Sequence, residues 1–180
     1  MTQLTVSTWN INQRSGLGRQ IPDMVVTELR QLNADIICLT EYVKTETHNL
    51  FCARLQDIGY KIFEDNRSLE FGNEILVAIK SSLISDSKFT TIDNDDSNPN
   101  FLRVTVNIFG KELNIIGTRI KTGGKDIIED FKERKIQLDN LISNLPASHE
   151  NTIILGDFNN GFFKQNDDVH SYQGKAREFY

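Results

Sequence analysis

Ala34-Asp35-Ile36-Ile37-Cys38-Leu39-Thr40-Glu41 is the stretch that decides the architecture. Asp35–Thr40 is short, continuous and rich in β-branched side chains, the pattern of a strand buried on both faces. It ends abruptly in a carboxylate, Glu41. A second run of the same kind, Thr152–Leu155, ends in Gly156-Asp157-Phe158-Asn159. Doubly buried strands need layers on both sides, so helices must flank them.

Around these two runs the pattern alternates. Leu4–Ile11 reads as a first strand. Pro22–Leu32 reads as a helix with Val25, Leu29 and Leu32 on one stripe, widened by Met24 and Val26. A second helix is expected over Thr47–Ile58, stopped by Gly59. Strands are expected at Tyr60–Glu64 and Glu74–Lys80. Polar Asp86–Asn100 reads as a loop or a sheet-edge excursion. Phe101–Phe109 and Glu112–Arg119 form a hairpin about Gly110-Lys111. A long helix over Asp126–Leu145 places Ile127, Ile128, Phe131, Leu138, Leu141, Ile142 and Leu145 on one face, with Pro146 as its stop. The polar tail Asn160–Tyr180 ends in the start of a helix at Gly174–Tyr180. The fold expected is a layered α/β sandwich: two packed mixed β-sheets inside, helices outside, one domain over residues 1–180.

Composition narrows the function. With 180 residues, 38% hydrophobic and 25% charged, the chain can bury a core without metals or disulfides. Its net charge of −5 argues against binding nucleic acid through bulk positive charge. The basic residues between Lys111 and Lys135 are nearly balanced by acids, and read as a solvated helix face with pairs such as Asp130–Arg134. Cys38 and Cys52 lack metal-type spacing, and Cys38 is expected as a buried reduced thiol. No signal-like start or transmembrane run is present, which points to a cytoplasmic protein.

Polar residues cluster where strands end: Asn10, Glu41, Arg119, Asp157 and Asn159. Ligands of α/β sheets bind beyond the carboxyl ends of strands. Carboxylates, amides and a guanidinium suit a hard cation and a phosphate. Singly, each has a plainer reading. Glu41 could cap a helix, Asp157–Gly161 could be an Asx-rich turn, and Arg119 could be a surface cation.

Jointly they resemble the endonuclease/exonuclease/phosphatase superfamily. The matching segments are Leu-Thr-Val-Ser-Thr-Trp-Asn-Ile-Asn (4–12), Ala-Asp-Ile-Ile-Cys-Leu-Thr-Glu (34–41), Gly-Asn-Glu-Ile-Leu-Val-Ala-Ile-Lys (72–80), Leu-Asn-Ile-Ile-Gly-Thr-Arg (113–119) and Thr-Ile-Ile-Leu-Gly-Asp-Phe-Asn (152–159). The resemblance implies an Mg²⁺-dependent (or Mn²⁺-dependent) phosphodiesterase or phosphatase, nuclease-like, acting by water attack on phosphorus. Its substrate would be a phosphate ester, nucleic acid among the candidates. Glu41 would be the main metal ligand, with Asn10 and Asn12 beside it. Asp157 would orient or deprotonate the water. Asn159 would hold the phosphate, together with Asn10. At Arg119 many members carry His or Tyr. Here the arginine could clamp phosphate or pair with a site carboxylate.

One departure is larger. Members usually close with an Asp-His, and none occurs here; His48, His149 and His170 do not supply it. The expectation is a C-terminally incomplete form, weakly active or inactive, with an exposed sheet edge that invites a dimer. The alternative is a non-catalytic binding module of the same fold.

Overall fold

The computed structural model describes residues 3–12, 21–44, 47–64, 74–93, 95–122, 127–148 and 150–159, the side chains of 127 and 128 excepted. Phe162, Phe163, His149, His170 and the expected tail helix lie outside them.

The elements run β1 (Val6–Asn10), α1 (Asp23–Leu32), β2 (Ile36–Tyr42), α2 (His48–Asp57), β3 (Tyr60–Glu64), β4 (Glu74–Lys80), β5 (Ser87–Thr91), β6 (Asn100–Ile108), β7 (Lys111–Arg119), α3 (Ile127–Ser143) and β8 (Thr152–Asp157). They form two four-stranded mixed sheets, ordered β1-β2-β4-β3 and β5-β6-β7-β8. Each sheet contains one parallel pair among the described residues, β1 with β2 and β7 with β8.

Alternation along the strands builds three apolar layers. Ile36 and Cys38 of β2 and Ile75, Val77 and Ile79 of β4 meet Leu102, Val104, Val106 and Ile115 of the other sheet. The opposite face of the first sheet, with Ile37, Leu39, Leu76 and Ala78, packs on Val25, Val26 and Leu29 of α1 and on Phe51 and Leu55 of α2. Phe101 and Ile116 pack on Leu141 of α3. The order is helix, sheet, sheet, helix, as expected. Gly117 lets the sheets approach: a Cβ there would stand 2.5 Å from Ile75 Cγ2.

Several local expectations need correction. The turn between β6 and β7 is Phe109-Gly110, with φ of 52° and 77°. Two positive φ values are what a two-residue hairpin turn with native twist demands. Of the two readings of Asp86–Asn100 the sheet-edge one holds for Ser87–Thr91, an edge strand that pairs with β6 and with no other strand among the described residues. Met24 and Leu32 of α1 are exposed, as is Ile142 of α3. On α3 the buried stripe carries Arg134 and Gln137 beside Phe131 and Leu141, so it is not wholly apolar.

β2 does not stop at Glu41. Its partner register on β4 shifts between Leu39↔Leu76 and Tyr42↔Glu74, so three steps on β2 oppose two on β4. This is a β-bulge, with Glu41 in the left-handed region at φ 53°. The extra residue flips side-chain parity. Ile36 and Cys38 face the other sheet, whereas Tyr42 faces the helices.

Candidate active site at the strand ends

The carboxyl ends of β1, β2, β7 and β8 meet at one rim. Within the first sheet Asn10 stands opposite Thr40, the residue before Glu41. Within the second, Arg119 stands opposite Asp157. At this rim two side-chain contacts between described residues bridge the sheets. Asn10 Nδ2 donates to Asp157 Oδ2 at 2.9 Å, and Arg119 Nη2 donates to Glu41 Oε1 at 3.2 Å. Two lateral backbone pairings and two cross-sheet bonds thus close a ring of four strand ends. Five sequence-predicted residues belong to it: Asn10, Glu41, Arg119, Asp157 and, two residues on, Asn159.

Each is held by local geometry. Asn10 Oδ1 accepts the backbone N–H of Asn12 at 2.9 Å, an Asx turn with Asn12 at φ 49°. Asn12 joins the site through this backbone contact. Asp157 Oδ1 accepts the backbone N–H of Asn159 at 3.0 Å, and Ile120 N donates to the Asp157 carbonyl at 2.9 Å. Asn159, at φ 47°, donates its side-chain amide to the Ile120 carbonyl at 2.5 Å. Gly156 is obligatory here: its φ is 144°, and a Cβ would stand 1.8 Å from the Thr118 carbonyl oxygen.

Helix α3 supports this rim through two buried polar residues that the charge pattern concealed. Arg134 donates to the Asn159 carbonyl at 2.5 Å, pairs with Asp130 at 2.6 Å and lies over the Phe131 ring. The Asp130–Arg134 pair was legible from its spacing, but Arg134 is buried rather than solvated. Gln137 grips the backbone of Lys121 on both sides, accepting its N–H at 2.7 Å and donating to its carbonyl at 3.1 Å. Two polar side chains on a stripe otherwise made by Phe131 and Leu141 were the available clue: a buried polar group must have a partner.

Arg119 forms the ion pair with a site carboxylate, one of its two expected roles. The pair is mostly buried, with side-chain exposures of 7% and 16%. Arg119 Nε is buried with no hydrogen-bond partner among the described residues, so the guanidinium is not fully satisfied by Glu41. The donor set is carboxylate and amide oxygen throughout. That is the chemistry a hard dication takes, with one or two carboxylates completed by water and substrate oxygens. The residues therefore fit a hard divalent cation, with Arg119 sharing Glu41.

The fold and this rim together define a known class. The sequence profile of the Endonuclease/Exonuclease/phosphatase family matches residues 7–165, and the chain belongs to that family. No curated protein sequence matches it. Among solved structures it is similar to D. rerio TDP2 complexed with single-strand DNA product (TM-score 0.61, 16% identity, covering 95% of this chain and 64% of that one). It is also similar to ANGEL2, a 2′,3′-cyclic phosphatase (0.60, 16%, 87% and 53%). A third is the human Nocturnin catalytic domain with bound sulfate (0.61, 18%, 87% and 64%). At these identities the likeness is one of fold. The chain spans less than two thirds of each of the three. None of the described helices is long and apolar enough to cross a membrane.

Proposed function

We propose that the rim of Asn10, Glu41, Arg119, Asp157 and Asn159 hydrolyses a phosphate ester, diester or monoester, in a nuclease-like manner with Mg²⁺ or Mn²⁺. The observation that carries this is the closed ring of four strand ends, which puts a hard-oxygen ligand and a second carboxylate on one surface. Glu41 is the principal metal ligand, with Asn10 and Asn12 beside it. When bound, the dication neutralises phosphate charge and stabilises the leaving oxygen.

The remaining work falls to the chain. Asp157, pinned by Asn10 and the Asn159 N–H, orients the attacking water and accepts its proton. The water oxygen bonds to phosphorus as the ester oxygen leaves. Asn10, Asn159 and Arg119 hold phosphate oxygens, whose charge grows toward the transition state. The D. rerio TDP2 complex with a single-strand DNA product supports nucleic acid as a substrate class. Net charge of −5 puts the burden of phosphate attraction on the cation and Arg119 rather than on a basic face.

The Arg119–Glu41 pair favours a second reading, a non-catalytic binding module of the same fold in which the cation site is kept and the chemistry is lost. Hydrolysis of bis(p-nitrophenyl) phosphate and nicking of plasmid DNA, by wild type and Glu41→Gln in Mg²⁺, separate the two. Wild-type turnover that Glu41→Gln loses supports the enzyme. Metal binding without turnover in wild type supports the module. Turnover equal in both proteins overturns the assignment of Glu41.

A further inference from the structure

The bulge that presents Glu41 to the rim turns Tyr42 to the opposite face of the sheet, under α2. A second cluster of ligand-type side chains gathers there. His48 begins α2, and Cys52 follows one turn later at i+4 on the same face. Glu64 ends β3 beside them. One nitrogen of His48, the Cys52 sulfur and one Glu64 oxygen lie within 4.8 Å of one another. His48 Nε2 is 3.2 Å from Glu64 Oε1, and Cys52 Sγ is 3.9 Å from His48 Nδ1. The buried hydroxyl of Tyr42 hydrogen-bonds His48 Nδ1.

We propose that His48, Cys52 and Glu64 form a zinc-binding site, separate from the Glu41 rim in position and in chemistry. A sulfur, an imidazole nitrogen and a carboxylate are a borderline-soft set, which selects Zn²⁺ over Mg²⁺. Three protein ligands with water in the fourth place is a common zinc arrangement. Bonds of about 2.0–2.3 Å in a tetrahedron put neighbouring donor atoms roughly 3.3–3.8 Å apart. The 3.2 and 3.9 Å separations involve different imidazole nitrogens; with one nitrogen as ligand the three donors lie within 4.8 Å of one another, and closing on that figure takes side-chain movements of about 1 Å. Tyr42 fixes the imidazole from behind, as outer partners of metal-bound histidines do.

Charge supplies an independent argument. Glu64 and Glu74 both lean on Lys44, at 3.9 and 3.4 Å, and the Glu74 side chain is 2% exposed. Zn²⁺ with the Cys52 thiolate, its proton released to solvent, would add one positive charge beside these two carboxylates. One Glu64 oxygen, Oε2, is buried without a hydrogen-bond partner among the described residues, an acceptor a cation would satisfy. The cluster escaped the sequence because its ligands come from two elements and only one is a cysteine.

Cobalt reports the site directly. Titrating the chelator-stripped chain with Co²⁺ should give a thiolate-to-cobalt charge-transfer band and intense tetrahedral d–d absorption. Both should saturate at one equivalent and be displaced by Zn²⁺. Glu41→Gln should leave the band intact, so a failed catalytic assignment and a failed zinc site read out separately. Cys52→Ser should abolish the band, and Glu64→Gln should weaken Co²⁺ binding at least about tenfold. Should Cys52→Ser fail to fold, Glu64→Gln decides alone. No charge-transfer band in excess Co²⁺, a band that survives Cys52→Ser, or unchanged affinity in Glu64→Gln overturns the proposal, leaving a Tyr–His–Glu hydrogen-bond chain.

Discussion

Asp35 and Glu41 bracket the same strand and carry the same charge, yet their surroundings differ in kind. Asp35 is saturated. The amide and hydroxyl of Thr5 donate to its Oδ2 at 2.8 and 2.9 Å, and Lys80 Nζ stands 3.2 Å from Oδ1. Its backbone is tied in as well, its N–H to the Thr5 carbonyl and its carbonyl to Lys80 N. These bonds dock the edge strand β1 onto β2 and β4. Glu41, at the other end, sits on a bulge with a left-handed φ, and its ion-pair partner among the described residues is Arg119. A bulky residue in that backbone region costs about 1–2 kcal/mol. One end of β2 is spent on stability. The other keeps a charged group poised at some cost to stability, which is where function is found when strain is observed rather than assumed.

The contrast can be broken most visibly at Glu41. Glu41→Asn should lower phosphoesterase turnover by about 10³-fold or more, since it removes the proposed principal metal ligand. Asparagine relieves the left-handed backbone but leaves the buried Arg119 without its carboxylate, so the unfolding free energy should fall by about 1–3 kcal/mol by urea titration. Gly156→Ala should follow. Its methyl group has no room against Thr118, and the strained φ adds to the clash, so a loss of about 3 kcal/mol or more is expected in the same assay.

Asp35→Asn should lower stability and spare turnover. Losing charge-assisted bonds costs about 1–2 kcal/mol, while turnover per folded molecule stays within about twofold. This effect depends on pH with a definite sign. The backbone N–H of Thr5, foremost, holds the Asp35 carboxyl below its ordinary value of 3.8, with Lys80 adding to the shift. A depressed carboxylate stabilises the fold fully above the unfolded value. That contribution is lost as pH falls through the folded one. Wild type and Asp35→Asn should therefore differ at neutral pH and converge below pH 3.8.

The smallest expected effect sharpens the comparison from the middle of the strand. Cys38 lies between the two ends, fully buried, and burial pushes its thiol up to about 12. Alkylation followed by mass spectrometry should leave it unlabelled in the native state until global unfolding. Labelling faster than that would mean β2 opens locally.

Much of this was legible in the sequence, and the reasons are specific. Ile36-Ile37-Cys38-Leu39 announced itself because a doubly buried strand lacks polar residues, so Glu41 stood out at its end; Thr152–Leu155 carries the same apolar pattern and marks Asp157, although β8 ends its sheet among the described residues and only Leu155 of it is buried. The bulge was not legible: inserting one residue leaves no compositional trace, and only the reversed facing of Tyr42 betrays it. At β5 the sequence leaves a loop and a sheet-edge excursion both open, because Ser87-Lys88-Phe89-Thr90-Thr91 is an edge with three exposed residues, which a polar loop mimics. Arg134 was read as solvated because a charge pair on a helix carries no sign of what lies beneath it.

In the proposed reading Glu41 holds a divalent cation where the two sheets meet. Calorimetric titration of Mn²⁺ into wild type and Glu41→Gln, both carrying Cys52→Ser to silence the cluster under α2, tests it most directly. One binding event in the Glu41 protein, abolished or weakened at least about tenfold in its Gln counterpart, is the predicted result. Equal binding in both, or none in either, would contradict it.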